Sequence, residues 1–323
     1  MVCFKRSVFV QVREFAGKFR AKKLYEYNNE MVRRFEYTDI LGWSHSRFNT
    51  FSMCKRKYYY TYYAKYDTEN LLKINTLRNL TSVALEIGNI SHKIIKVLLT
   101  RIQKSAEPID REKFESFSRR KAKEIFDIKQ FQEVYYKDLD EIDFDEDILK
   151  RVNQGLTNFL DSDRLQWLFA EALNQKDEWI IEPEGFGEFR INDMKAYCKV
   201  DFLFPIGNEI HVIDWKTGKT DYAKHSDQLK GYVTWVAFHF GKNYDEIKPT
   251  VAYLLPEYKE NSIEVNEYDI EDFSSQIRKQ TDKMYAFCEE PELNIPLAIS
   301  EFPLTERVKL CNYCNFRELC DRV

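Results

Sequence analysis

The chain has 323 residues, 44% of them apolar and 32% charged, which suffices for one large water-soluble core or two modest ones. No apolar run approaches the roughly 18 residues that span a bilayer, and the first residues lack a signal peptide's apolar segment and cleavage site. No membrane association is therefore expected, and the expected setting is the cytoplasm, or the nucleus of a eukaryote. The net charge of −4 hides an asymmetry: residues 1–66 hold 14 Lys/Arg against 5 Asp/Glu, and the remainder is acidic. A basic N-terminal part suits a phosphate-tracking surface, and equally an ordinary solvated face.

Within residues 1–40 only Ser7–Val12 reads as a strand. Around Trp43–Tyr60, Ser44 or Ser46 can cap a helix, with Phe48, Phe51 and Tyr58 near one face. Cys54 follows, then Lys55-Arg56-Lys57 and an aromatic run to Tyr63. Rings among cations suit single-stranded nucleic acid, because bases stack on rings while cations track phosphates. The same rings could equally be core. Residues 81–104 read as a helix, with Ile87, Ile90, Ile94 and Leu98 at helical spacing. Gly88 lies one turn before His92, leaving room for another segment to approach the imidazole. Residues 110–175 read as helical with breaks, and the acidic run 138–147 as solvated. Strands are expected at 178–182 and 185–191, with Glu182 and Glu184 as extra carboxylates of undetermined direction.

The centre of the chain is residues 196–219. A β-rich run from Tyr197 to Phe204 ends at Pro205, and a second from Ile210 to Lys216 follows Gly207-Asn208, a pattern that reads as a hairpin. Asp201 and Asp214 sit among apolar neighbours. Asp214 and Lys216, two apart on a strand, point the same way. A carboxylate in a β-core is costly unless it is paired or binds a metal. Two carboxylates and an ammonium at one spot form a candidate site for a divalent cation and a phosphate, against the plainer alternative of a buried salt bridge. Gly218-Lys219-Thr220 is not a phosphate-binding P-loop, because the position five before Gly218 is Ile213 rather than Gly. A helix over 225–240 carries Leu229, Val233, Val236 and Phe240 on its apolar stripe and places Gln228 and Tyr232 on one face. Strands at 249–255 and 262–266 and a helix at 269–288 follow.

Seven cysteines, an odd number, argue against a disulfide framework in an intracellular chain. Cys311, Cys314 and Cys320 have metal-ligand spacing. A fourth soft ligand is needed, for which Cys54 is the best candidate. Cys3, Cys198 and Cys288 are isolated and read as plain residues.

In order, Ser44-x-Ser46…Cys54, Gly88-x-x-x-His92, Asp201, Asp214-x-Lys216, Gln228-x-x-x-Tyr232 and the terminal Cys cluster resemble the RecB-like branch of the PD-(D/E)XK nucleases. The likeness is to members carrying an iron–sulfur cluster, such as CRISPR-associated exonucleases and AddB-type nuclease domains. One departure is Lys55, where those relatives have Pro after the first Cys. The resemblance covers about residues 44–323 and implies an α/β fold, a central mixed sheet flanked by helices, preceded by a basic extension at 1–43. It implies metal-dependent hydrolysis of DNA phosphodiesters, with DNA single-stranded or bearing a free end, in a setting such as repair. Implied ligands of Mg²⁺ or Mn²⁺ are His92, Asp201, Asp214 and the Trp215 carbonyl. Lys216 would orient water or neutralise transition-state charge, while Gln228 and Tyr232 would position the strand. Cys54, Cys311, Cys314 and Cys320 would hold a [4Fe–4S] cluster between segments 44–66 and 305–323, structural zinc being the alternative. With no P-loop, any helicase would be a separate protein, as would an integrase-type partner. The competing class is a DNA-binding or assembly subunit without catalysis.

Overall fold

The computed structural model describes residues 32–33, 35–183 and 187–322. The strand expected at Ser7–Val12, and Cys3 and Glu184, lie outside them. The N–H of Arg47 donates to Ser44 Oγ at 3.1 Å, so Ser44 caps α1 (His45–Met53). The helix stops at Cys54, which adopts an extended backbone and caps α2 (Lys55–Tyr62), its sulfur accepting from the Lys57 N–H. One expected helix is therefore two. Tyr58, Tyr59, Tyr60 and Tyr63 are buried; Tyr58 packs edge-on against Phe51 and Tyr59 against Phe302, while Tyr63 tilts against Phe302 and Tyr60 against Phe316. Burying each such ring is worth about 1.5–3 kcal/mol, so this run belongs to the core rather than to a base-stacking surface.

Next come α3 (Leu71–Arg78), the long α4 (Val83–Ser105), α5 (Arg111–Phe126) and α6 (Lys150–Leu160). The acidic run ahead of α6 is mostly exposed. Within it, both oxygens of the exposed Asp138 accept from the buried Arg317 guanidinium at 2.8 Å.

Seven strands concern the site: β1 (Ile180–Ile181), β2 (Glu188–Ile191), β3 (Met194–Tyr197), β4 (Phe202–Ile206), β5 (Glu209–Lys216), β6 (Ile247–Tyr253) and β7 (Lys259–Ser262). The central sheet is mixed, in the order β1-β4-β5-β6-β7, with β5–β6 parallel and the other pairs antiparallel. The run Tyr197–Phe204 is not one strand. Tyr197 pairs back with Glu188 in a separate β2–β3 hairpin, closed by Asn192-Asp193, both at positive φ. A two-residue loop with positive φ at both positions matches strand twist. The last strand also lies earlier than expected, at 259–262 rather than 262–266.

Helix α7 (Tyr222–Phe240) makes the crossover between the parallel strands, and α8 (Glu267–Tyr285) packs outside it. Both faces of the sheet are covered. Phe202, Phe204, Ile213, Trp215 and Ala252 face α4 and α6, while Leu203, Val212, Val251 and Tyr253 belong to the core with α7 and α8. Alternation along each strand assigns these two sets. The architecture is thus mixed α/β, a central mixed sheet between helical layers.

Candidate active site

The site lies where β5 and β6 end side by side, between α4 and α7. In open α/β sheets this is the end at which ligands bind, because parallel strands stop there and the connecting loops open a crevice. Register builds it. Ile181 pairs with Phe202, and Phe202 with Ile213. One residue beyond, Glu182, Asp201 and Asp214 form a row across three strands, and the Glu182 N–H donates to the Asp201 carbonyl at 2.7 Å. Asp201 is 8% exposed and Asp214 2%.

Two sets of partners divide the aspartates. Asp201 Oδ2 accepts from the Trp215 N–H at 3.0 Å and lies 3.3 Å from His92 Nδ1. The other ring nitrogen of His92 is 2.8 Å from the Trp215 carbonyl. Asp214 Oδ1 accepts from Gln228 Nε2 at 3.1 Å and from the Tyr232 hydroxyl, and the two donors are themselves 2.5 Å apart, one helical turn on α7. Asp214 Oδ2 lies 2.5 Å from Lys216 Nζ, but without hydrogen-bond geometry, and has no other partner. Gly88 leaves room for Thr217, since a Cβ there would stand 3.2 Å from Thr217 Oγ1. That is the close approach expected one turn before His92.

Electrostatics separate the carboxylates further. Burial alone would raise Asp201, but His92, Lys216 and the Trp215 N–H outweigh it and hold its pKa below the ordinary value. Asp214 is pushed up, first by burial and then by the Asp201 charge. Burial opposes charge on His92, yet Asp201 and then Asp214 raise it. Its partners thus favour charge on Asp201, while burial and Asp201 oppose charge on Asp214. A buried carboxylate pair beside an imidazole fits a hard divalent ion held by N and O donors.

Two histidines line the cationic side and were not singled out in the sequence. His225, one turn before Gln228 on α7, contacts the Tyr253 hydroxyl at 2.7 Å, and Tyr253 pairs with Lys216 across β5–β6. Burial, then Lys216 and Lys224, push its pKa down to about 4. His45 on α1 is lowered by burial and then by Lys224, and its Nε2 is buried without a hydrogen-bond partner. Only the three-residue spacing of His225 from Gln228 could have marked it beforehand.

Cys54, Cys311, Cys314 and Cys320 lie apart from this site and close to one another. Burial raises Cys314, and raises Cys320 to about 11; Cys320 also feels the other three sulfurs, and Cys314 those of Cys54 and Cys311. Arg322 donates to Cys311 Sγ at 3.3 Å. Cys198 instead lies beside the aspartates, and Cys288 beside Tyr63. Among the described residues, one set of three metal-ligating types has its donor atoms mutually within 4.8 Å: His92, Glu182 and Asp201.

No curated protein matches the chain. Solved structures resembling it include that of SSO0001, at 18% identity and TM-score 0.29, covering 58% of this chain and 77% of that one. Another is a candidate exonuclease from Eubacterium rectale, at 12% identity and TM-score 0.38, covering 82% and 91% respectively. A sequence model of the PD-(D/E)XK nuclease superfamily matches residues 42–321, nearly the whole described chain. The chain belongs to the PD-(D/E)XK nuclease superfamily.

Proposed function

We propose that this nuclease is a RecB-like, divalent-metal-dependent hydrolase of DNA phosphodiesters that works as an exonuclease on single-stranded or free-ended DNA. The observation that carries the reading is the convergence of His92, Asp201, Asp214 and Lys216 at one buried end of β5, with Gln228 and Tyr232 bonded to the same carboxylate. His92, Asp201, Asp214 and the Trp215 carbonyl would hold Mg²⁺ or Mn²⁺. When bound, such an ion supplies the positive charge that polarises a phosphate and activates water.

The chain's own groups do the rest. The Trp215 N–H and His92 hold Asp201 in its charged form. Gln228 and Tyr232 fix the Asp214 carboxylate and through it would position the strand at the scissile phosphate. Lys216, freed from Asp214 once that carboxylate has another cation, donates to the attacked phosphate and offsets the charge that develops there. Lys224 extends this cationic side along the crevice, beside the imidazoles of His45 and His225, whose protonation burial and Lys224 disfavour.

The terminal cysteines would hold a structural [4Fe–4S] cluster, away from the hydrolytic site. Burial raises the Cys314 and Cys320 thiols, so a bound cationic metal would favour their thiolate forms.

End-labelled single- and double-stranded DNA, incubated with Mg²⁺ or Mn²⁺, tests the assignment. Wild-type protein should shorten DNA from its ends, and Lys216→Ala should not. Equal turnover by the purified variant would remove these residues from the chemistry, and internal cuts without end shortening would overturn the exonuclease reading.

A further inference from the structure

We propose that Tyr222 is a base-stacking platform beside the hydrolytic centre, the contact that makes a single strand the preferred substrate. The inference deepens the nuclease reading and rests on it. The aromatic run after Cys54 cannot serve this purpose, because Tyr58, Tyr59, Tyr60 and Tyr63 are buried. Tyr222, in contrast, is 52% exposed. It is the first residue of α7, the helix that brings Gln228 and Tyr232 to Asp214. An exposed ring is ordinary by itself, so its place decides what it can do.

Contacts fix that place. The Tyr222 ring meets the Tyr253 ring edge-on, with centroids 6.0 Å apart and planes at 86°. Tyr253 is buried, and its hydroxyl contacts His225 Nδ1 at 2.7 Å. In the sheet, Tyr253 pairs with Lys216 on one side and with Lys259 on the other. Neighbouring strands stand ~4.8 Å apart, and paired residues share a face. One strand spacing and one ring contact therefore separate Lys216 from Tyr222, on the opposite side of β5 from Asp201. A strand whose phosphate meets Lys216 and which runs on over β6 brings a neighbouring base onto this ring. The turn beneath it is tied down, since the Asp221 carboxylate accepts from the Lys224 N–H at 3.1 Å. A ring already held by its neighbours loses little freedom when a base lands on it. Exposed Lys219 and Lys224 flank Tyr222 in the chain and supply cations for the adjoining phosphates. Stacking on a side chain needs an unpaired base, because a base inside a duplex has both faces covered. The platform thus favours single strands without reading their sequence.

Single-stranded oligonucleotides carrying 2-aminopurine at successive positions, bound by the full-length protein without divalent metal, test this apart from turnover. Wild-type protein should change the probe's fluorescence at a defined position near the end. Tyr222→Ala should remove that change and weaken binding about 10-fold, the scale of losing one stacked base, while Tyr222→Phe should keep both. In cleavage with Mn²⁺, Tyr222→Ala should raise KM for single strands more than it lowers kcat, and narrow their preference over blunt duplex. An abasic nucleotide at the reporting position should weaken wild-type binding by the same factor and Tyr222→Ala binding no further. If Tyr222→Ala binds, reports the probe and discriminates against duplex as wild type does, the ring is no platform and the nuclease centre stands. If Tyr222→Phe loses as much as Tyr222→Ala, the hydroxyl and not the ring makes the contact, and the proposal fails. If wild-type protein neither binds nor shortens DNA, the nuclease reading falls, and this proposal with it.

Discussion

Asp214 shows how function opposes stability at a single residue. Its carboxylate is buried beside Asp201, with Oδ2 2.5 Å from Lys216 Nζ. Asp214→Asn removes the like-charge repulsion and the desolvated charge while keeping the shape. Metal-free Asp214→Asn should therefore be more stable than wild type by about 1–2 kcal/mol, read from urea unfolding, while cleavage is lost. A stability below wild type would mean that the Lys216 contact stabilises the native state more than desolvation costs it. Lys216→Ala should lower turnover by about 100-fold or more, the usual scale of removing a preorganised charge at the reacting phosphate, with circular dichroism unchanged. His92→Ala should reduce Mn²⁺ affinity and activity together. Full activity at limiting Mn²⁺ would make His92 only a prop for the Trp215 carbonyl.

At the scale of elements, α4 and α7 clamp the sheet's end, and each contact depends on a small detail of spacing. Gly88 on α4 admits Thr217, the neighbour of Lys216. Gly88→Ala gains up to about 1 kcal/mol of helix propensity, yet its new Cβ pushes on Thr217. The expected outcome is a thermal midpoint no lower than wild type with turnover reduced several-fold, measured side by side. At its other end α7 is anchored by His239. Its Nδ1 accepts from the Arg33 N–H at 3.1 Å, so it carries no proton, and Nε2 donates to the Glu188 carbonyl at 2.9 Å. Burial lowers its pKa to about 4 from an ordinary value near 6.5. A base with a depressed folded pKa lends stability that is whole above about pH 6.5 and is lost as pH falls toward 4, since the unfolded chain takes up the proton first. After allowance for solvent screening, the loss is about 1–2 kcal/mol. His239→Gln should flatten the urea midpoint between pH 7 and 4.5. An identical slope in both proteins would place the acid sensitivity elsewhere.

Across the whole molecule, the C-terminal segment is tied to distant parts of the chain. Tyr60 bonds the Leu319 carbonyl, Tyr136 the Asn315 carbonyl, Asn315 the Leu77 carbonyl, and Arg317 the Asp138 carboxylate. A cluster on Cys54, Cys311, Cys314 and Cys320 would close a loop of more than 250 residues over this dock. Closure cost grows only with the logarithm of loop length, so chain entropy contributes about a few kcal/mol and metal–thiolate bonds add to it. Protein purified without oxygen should be brown, absorbing near about 400 nm, as all-Cys iron–sulfur ligation implies. Replacing any one of the four by Ala should bleach the colour and lower stability, whereas Cys198→Ala or Cys288→Ala should not bleach it. Colourless protein containing zinc and no iron would refute the cluster and leave the hydrolytic site untouched.

Local rules were enough for much of this molecule. Period-two alternation sets Asp214 and Lys216 on one face, helical spacing sets Gln228 beside Tyr232 and Gly88 below His92, and turn residues mark the β4–β5 hairpin. These are properties of neighbours a few residues apart, so they are written in the chain itself. Other features arise between segments far apart in sequence. The tyrosines after Cys54 look the same whether they face a nucleic acid or Phe302, and only packing decided for the core. The turn at Asn192-Asp193 took Tyr197 from the central hairpin because pairing with Glu188 was available. Register across β1, β4 and β5 aligned Glu182 with two aspartates 19 and 32 residues away. Strand pairing depends on which hydrophobic faces can be buried together, and that is settled by the whole fold.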